Sequence, residues 1–282
     1  MRVVDLHTHS RFSDGTSSCS ELLARASKRG TELFSLTDHD TVDGCAEAGE
    51  EARKLGVPFI SGVEITTGER DNLHVLGLAI NPQSKRLSEF LGWQRRERER
   101  RIEKTVGLLR GLGVDITFEE VRAKAVKSLS RGHVADILKE KNLAQSRRDA
   151  FRKYFEPNRP AYVPPAGAGV VEAIIVIKEA GGAPVLAHPG AVSSHLNLPA
   201  WTCAGLEGLE VFYPSHGAAR AAEFLSLAKK YRLLATAGSD FHGQETGRGK
   251  TLGIEVPDEI FIALKKRLLG ESAASWRNLC SH

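Results

Sequence analysis

The side chains with the most chemistry to offer in this 282-residue sequence are imidazoles and carboxylates, and they recur in short groups along the whole chain. His7 and His9 stand two apart in Val3-Val4-Asp5-Leu6-His7-Thr8-His9, a run that reads as a strand. Side chains at i and i+2 of a strand share a face, so this pair can hold one cation without help from a loop. Alone, His-x-His is as readily two polar residues at a surface. The other groups shift that balance: Asp14, His39, Glu64, His74, His188, and Asp240 with His242. Imidazole and carboxylate without thiolate suit manganese, iron(II) or zinc, and a set this rich in nitrogen is poorly matched to magnesium or calcium. Nine candidate ligands exceed what one ion takes, which implies two or three divalent ions with Glu64 placed to bridge. Ions clustered in this way clamp a phosphoryl group and activate a water.

Such residues need a scaffold that gathers them, and the pattern between them supplies one. Ser18 with Glu21 forms a capping box for a helix to about Arg29, closed by Gly30. A strand from Leu33 to Thr37 ends at Asp38-His39-Asp40, and the next helix runs to Lys54 and stops at Gly56. The third strand, Phe59 to Ile65, meets a fourth, Leu73 to Ile80, across a linker too short for a parallel crossover. The two must form a hairpin, which brings His74 near Glu64. From about Ser84 to Pro165 helical patterns replace strands, beginning at Trp93 and the mixed-charge run from Gln94 to Arg101 and continuing at 118–124, 133–141 and 147–155. Pro157, Pro160, Pro164 and Pro165 mark the return, followed by helices at 170–180, 218–231 and 259–269 and strands at 184–187, 208–212 and 233–237. The expected organisation is a barrel from residues 1–84 and 166–282, with 85–165 as a helical insertion or cap. On this reading the candidate ligands sit at or just beyond the carboxyl ends of strands, and six of the ten histidines share one rim. That is the end at which parallel α/β sheets and barrels build active sites.

Composition narrows the class. A net charge of +4 with both signs interspersed does not make a nucleic-acid coat. Cys19, Cys45, Cys203 and Cys280 contain no C-x-x-C pair, so neither a thiolate zinc site nor a disulfide framework is expected. The chain enters a strand at once and has no apolar run of 18 residues, which leads to the expectation of a soluble, cytoplasmic protein without membrane contact. No long duplex nucleic acid and no obligate protein partner is expected.

Taken in order, Asp5-Leu6-His7-Thr8-His9-Ser10, Ser13-Asp14-Gly15, Thr37-Asp38-His39-Asp40, Gly62-Val63-Glu64, Ala187-His188-Pro189-Gly190 and Gly238-Ser239-Asp240-Phe241-His242 resemble the motif set of the PHP (polymerase and histidinol phosphatase) family. The resemblance implies an α/β fold, a distorted seven-stranded β/α barrel with a trinuclear centre, manganese first among the metals. Carried over by motif, His7, His9, Glu64 and Asp240 would hold the first ion, Glu64, His74 and His188 the second, and Asp14, His39 and His242 the third. The carboxylate of Asp14, where some relatives have histidine, and the helical insertion resemble the branch acting on nucleotides and oligonucleotides. The implied reaction is hydrolysis of the 3′-phosphate of small nucleotides such as 3′,5′-nucleoside bisphosphates by a metal-bridging hydroxide, extending to short 5′-phosphorylated oligoribonucleotides. The alternatives are a histidinol-phosphate phosphatase and a non-catalytic metal-binding module. On the substrate side, Ser130-Arg131-Gly132-His133 opens a helix whose free N–H groups favour phosphate, with Arg131 as a forked donor and His133 beside it. His216, in Tyr213-Pro214-Ser215-His216, is the candidate general acid or phosphate donor.

Overall fold

The computed structural model describes residues 1–192, 196–249 and 251–270; His195, Cys280 and His282 fall outside them. Strand β1 (Arg2–Asp5) is followed by helix α1 (Cys19–Arg29), β2 (Leu33–Leu36), α2 (Cys45–Leu55) and β3 (Phe59–Thr66). The Ser18–Glu21 capping box is present at the head of α1, and Gly30 and Gly56 close the two helices in the left-handed conformation. These three strands are parallel neighbours. Strand β4 (His74–Leu78) then returns antiparallel, with Thr66 opposite His74 and Glu64 opposite Leu76, as the short linker requires.

Four helices follow: α3 (Lys85–Gly111), α4 (Phe118–Lys124), α5 (Arg131–Glu140) and the short α6 (Arg147–Ala150), which runs into a π-helical turn at Phe151–Phe155. After α7 (Val170–Glu179) the strand pattern resumes with β5 (Ala183–Leu186), α8 (Leu198–Ala204), β6 (Gly208–Phe212), α9 (Ala218–Tyr231), β7 (Leu234–Ala237), β8 (Ile254–Val256) and α10 (Asp258–Leu269). Strand β5 is antiparallel to β4 and parallel to β6, which is parallel to β7.

The strand order is β7-β6-β5-β4-β3-β2-β1-β8, so the sheet has eight strands rather than the expected seven. The extra strand is three residues long and lies between Gly253 and Pro257, too short to show a period-2 pattern. It pairs antiparallel with Arg2–Val4 only. The next stretch of the N-terminal segment turns to the other edge of the sheet. Leu6 donates its amide to Ala237 O (3.0 Å), Asp240 to His7 O (2.8 Å) and His9 to Phe241 O (2.9 Å). These bonds close the distorted barrel at the level where His7 and His9 project.

The barrel strands are apolar because both their faces are buried. Val4, Leu6, Ile60, Leu76 and Val185 share a cluster with Phe261, Leu264 and Leu268 of α10. A second cluster joins Val63, Ile65 and Val75 to Ile174 and Ile177 of α7, and also takes in Leu87, Phe90 and Leu91 from the start of α3. The far end of α3 contributes Ile102, Val106 and Leu109 to a separate core with Val121, Val134, Leu138 and Phe155. At 1.5 Å per residue α3 is about 40 Å long, and it serves both cores. No helix among the described residues is long and apolar enough to cross a membrane.

Candidate metal centre

Eight of the nine candidate ligands fall into three overlapping groups whose donor atoms lie within 4.8 Å of one another. The first is His7, His9, Glu64 and Asp240; the second is His39, Glu64 and His74; the third is His9, Asp14, His39 and His242. All are buried. Glu64 sits at the middle: Oε2 is 3.2 Å from His7 Nε2 and 3.1 Å from both His9 Nε2 and His39 Nδ1, while Oε1 is 2.7 Å from His74 Nδ1. Asp240 Oδ1 lies 3.3 Å from His9 Nε2, and Asp14 Oδ1 lies 3.3 Å from His242 Nε2.

The grouping differs from the expected one at the second position and, by the addition of His9, at the third. His39 stands with Glu64 and His74 at the second, whereas His188 is set apart from the compact groups. His188 Nε2 is turned onto Glu64 Oε1 at 3.1 Å, and its backbone is held at φ 28°, so its ring enters from a strained corner after β5.

Whether cations fit here can be tested on the unsatisfied atoms. His7 Nε2, His9 Nε2, Asp14 Oδ1, Glu64 Oε2, Asp240 Oδ1 and His242 Nε2 are buried without a hydrogen-bond partner, and they all face the cluster. Buried polar atoms are normally paired, and unpaired ones are costly unless something satisfies them. Protonation tells the same story. Burial opposes charge on His9, but Asp240 and Glu64 against it outweigh that and push it up to about 9; His7 is raised likewise by Glu64, Glu210 and Asp240. The carboxylates thus draw protons into places a cation would fill. Burial holds His39, His74 and His242 down instead, His74 to about 4, leaving neutral imidazoles of the kind metals bind. The donor set fits divalent ions.

Residues that are not themselves candidate ligands hold this cluster in place. Asp38 accepts from the Ser10 amide (2.7 Å) and from the hydroxyls of Ser10 and Ser13 (each 2.6 Å), fixing the loop after His9. A Cβ on Gly15 would stand 2.2 Å from His9 O, so only glycine fits the turn that carries Asp14. Tyr213 donates its hydroxyl to Asp240 Oδ2 at 2.9 Å. Glu210, inside β6, accepts from His7 Nδ1 (3.1 Å) and from the His188 amide (2.6 Å). The one signal for Glu210 was a lone charge in the otherwise apolar Gly208-Leu209-Glu210-Val211-Phe212.

A cleft partly open to solvent joins the cluster to the helical segment. Asp14, His39 and His74 contribute to its lining, as do five arginines, Arg70, Arg98, Arg101, Arg131 and Arg248, and the carboxylate of Asp71. Arg131 touches Asp71 (3.4 Å) and lies over the Phe151 ring (5.1 Å). Burial, with Arg101 close by, pushes its guanidinium down to about 9 against the opposing pull of Asp71, which leaves it charged at neutral pH. Ser130 is the N-cap of α5, and its hydroxyl donates to Asp14 Oδ2 at 2.6 Å, which bolts the helical segment to the cluster.

Two expected substrate residues stand elsewhere. His133 is absent from the cleft lining, and its Nδ1 accepts the Ser130 amide at 3.1 Å to complete a capping box. His216 is buried, its Nδ1 donating to Val211 O (3.0 Å) and its Nε2 accepting from the Gly190 amide (3.2 Å). Both nitrogens are committed to backbone, so His216 braces the loop of His188 rather than offering a proton to the cleft.

A family model described as the PHP domain matches residues 5–161. A 3′,5′-nucleoside bisphosphate phosphatase from Chromobacterium violaceum is 34% identical, the match covering 90% of this chain and 91% of the relative. The 5′-3′ exoribonuclease Rnm of Escherichia coli is 33% identical over 85% of each chain. Among solved structures, an amidohydrolase from Chromobacterium violaceum with bound sulfate and no metal superposes with a TM-score of 0.84 at 33% identity, over 94% of this chain and 96% of that one. A chain from Bifidobacterium adolescentis provisionally described as a metal-dependent phosphoesterase gives 0.83 at 31%, over 93% and 95%.

Proposed function

The chain belongs to the PHP family, and on that premise we propose that it is a cytoplasmic metal-dependent phosphoesterase that removes the 3′-phosphate of small nucleotides carrying a second phosphate at the 5′ position. The observation that carries this reading is the juxtaposition in one cleft of the imidazole–carboxylate cluster with five guanidiniums, Arg70, Arg98, Arg101, Arg131 and Arg248. A carboxylate-rich centre repels a phosphate unless cations offset it, and planar guanidiniums match phosphate oxygens two at a time. An anion with one phosphate at the cluster and another among Arg101 and Arg131 satisfies both ends of the cleft. The related Chromobacterium violaceum enzyme is a 3′,5′-nucleoside bisphosphate phosphatase.

His7, His9, Glu64 and Asp240 would hold one divalent ion, His39, Glu64 and His74 with His188 a second, and His9, Asp14, His39 and His242 a third, manganese being the first choice. Such ions, when bound, polarise phosphoryl oxygens and make water a nucleophile near neutral pH. The chain's own residues orient the substrate around that centre. Arg131, over Phe151 and close to Asp71, takes up phosphate charge that grows during bond cleavage. With His216 committed to backbone, the leaving alkoxide takes its proton from water. Residues 85–165 act as a cap over the barrel of 1–84 and 166–282, anchored by Ser130 on Asp14.

The test is a comparison of manganese-loaded protein on adenosine 3′,5′-bisphosphate, histidinol phosphate and a 5′-phosphorylated oligoribonucleotide. Phosphate release from the bisphosphate at the highest kcat/KM is the expected result. Preference for histidinol phosphate, or no release from any of them, would overturn the reading.

A further inference from the structure

We infer that Glu210 is a positioning residue for the metal centre, selecting which nitrogen of His7 faces the ions and locking the backbone of His188. The inference rests on the metal-centre reading above and adds a residue that does not itself face the cluster. Strand β6 contributes no member to the three ligand groups. Its one charged side chain is nonetheless fully buried behind His7.

The carboxylate of Glu210 faces two donors. Its Oε1 lies 3.1 Å and its Oε2 3.3 Å from His7 Nδ1, and Oε2 also accepts the His188 amide at 2.6 Å. With Nδ1–H given to Glu210, the free lone pair of His7 is on Nε2. That atom lies 3.2 Å from Glu64 Oε2 and 3.5 Å from Asp240 Oδ1, with no hydrogen-bond partner of its own. A carboxylate behind a ligating imidazole fixes both ring orientation and tautomer. The second contact acts on backbone. His188 sits at φ 28°, a sparsely populated conformation that persists only where surroundings impose it. The short bond to Glu210 is such an imposition, and it places the residue whose Nε2 reaches Glu64. Space for this arrangement depends on Gly238, where a Cβ would stand 2.3 Å from His7 Cβ and 2.5 Å from Glu210 Oε1. One side chain therefore aligns residues from the segment after β1 and from the loop after β5, and does so from the side facing away from the cluster.

Glu210→Gln discriminates this role from simple packing. The amide keeps the size and shape of the carboxylate, but it has one acceptor oxygen where two N–H donors converge. If that oxygen serves the His188 amide, the NH2 group faces His7 Nδ1 and favours the opposite tautomer, with hydrogen on Nε2. Cobalt(II) titrations of metal-free wild type and Glu210→Gln, followed by visible absorption, should show metal affinity weakened by about 10- to 100-fold in the variant, with the far-UV circular dichroism unchanged. Equal affinity and an identical cobalt spectrum would overturn the role of Glu210 while leaving the metal centre standing. Failure of wild type to bind cobalt would instead overturn the metal centre, and this inference with it. Should Glu210→Gln not fold, nitrogen-15 imidazole NMR of zinc-loaded wild type decides: an exchange-protected Nδ1–H on His7 is expected, and metal on Nδ1 refutes the role.

Discussion

At the scale of single residues, the site stores positive charge in two ways. Protons on His7 and His9 answer Glu64 and Asp240, and guanidiniums line the cleft above. The first has a measurable consequence. His9 is raised from 6.5 to about 9, because Asp240 and Glu64 outweigh the opposing effect of burial. A group whose folded pKa is raised stabilises the protein fully below its unfolded value and ceases to do so as pH climbs through the folded value. Metal-free protein should therefore lose melting temperature between about pH 6.5 and 9, whereas metal-loaded protein, in which ions replace those protons, should not. Scanning calorimetry with and without a chelator tests this, and a flat metal-free profile would contradict it. The guanidiniums predict a different readout. Arg131→Ala should lower kcat/KM for a bisphosphate by about 10- to 100-fold, the range of a charged hydrogen bond at roughly 1.5–3 kcal/mol, with metal content unchanged by elemental analysis. The ring of imidazoles and carboxylates was legible in the sequence because each group sits beside a strand end. Glu210 and Tyr213 were not, because a residue that supports another through its rear face leaves no periodic or spacing signal.

At the scale of elements, the α3 helix and the hairpin do most to shape the cleft. The hairpin was legible because seven residues cannot cross over between parallel strands, and it brings His74 to 2.7 Å from Glu64. What the charge run of α3 hid is that Arg98 and Arg101 are not solvated. Arg98 donates to Leu129 O and pairs with Asp40 at 3.1 Å, and Arg101 donates to Val163 O and Asp71, both at 2.9 Å or within 0.1 Å of it. Mixed charges at helical spacing read as a solvent-facing helix whenever the partner segments lie far away in sequence. α5 offers a sharper test, since its N-cap Ser130 both caps the helix and holds Asp14. Ser130→Ala should destabilise by about 1 kcal/mol through the lost cap and, beyond that, weaken metal binding at the group containing Asp14. Thermal melts and metal titrations on the same preparation separate the two effects; a loss of stability with metal affinity unchanged would detach α5 from the centre.

At the scale of the molecule, Asp5 is the keystone of the seam. Its carboxylate is wholly buried, which pushes it up to about 6, and it accepts the amides of Ser239 (2.9 Å) and Gly253 (2.8 Å), tying β1 to the loop after β7 and to β8. Asp5→Ala would strand both donors at about 1–3 kcal/mol each. We expect a lower urea midpoint together with reduced metal content, and a normal metal complement in a destabilised variant would show the seam and the centre to be independent. The barrel class was legible from the alternation of elements, but its closure was not, because β8 is three residues long and the N-terminal segment divides its bonds between two edges, Arg2–Val4 with β8 and Leu6, His7 and His9 with the far edge. The seam also sets an order in time. His7 and Asp240, which meet across it at 3.5 Å, are 233 positions apart in the chain. At roughly 5–20 residues per second of synthesis, His7 is added to the chain about 10 to 50 seconds before Asp240. A nascent chain that lacks Asp240 can therefore present imidazoles but no finished pocket, so metal capture and phosphoester cleavage both await the segment that follows the seventh strand.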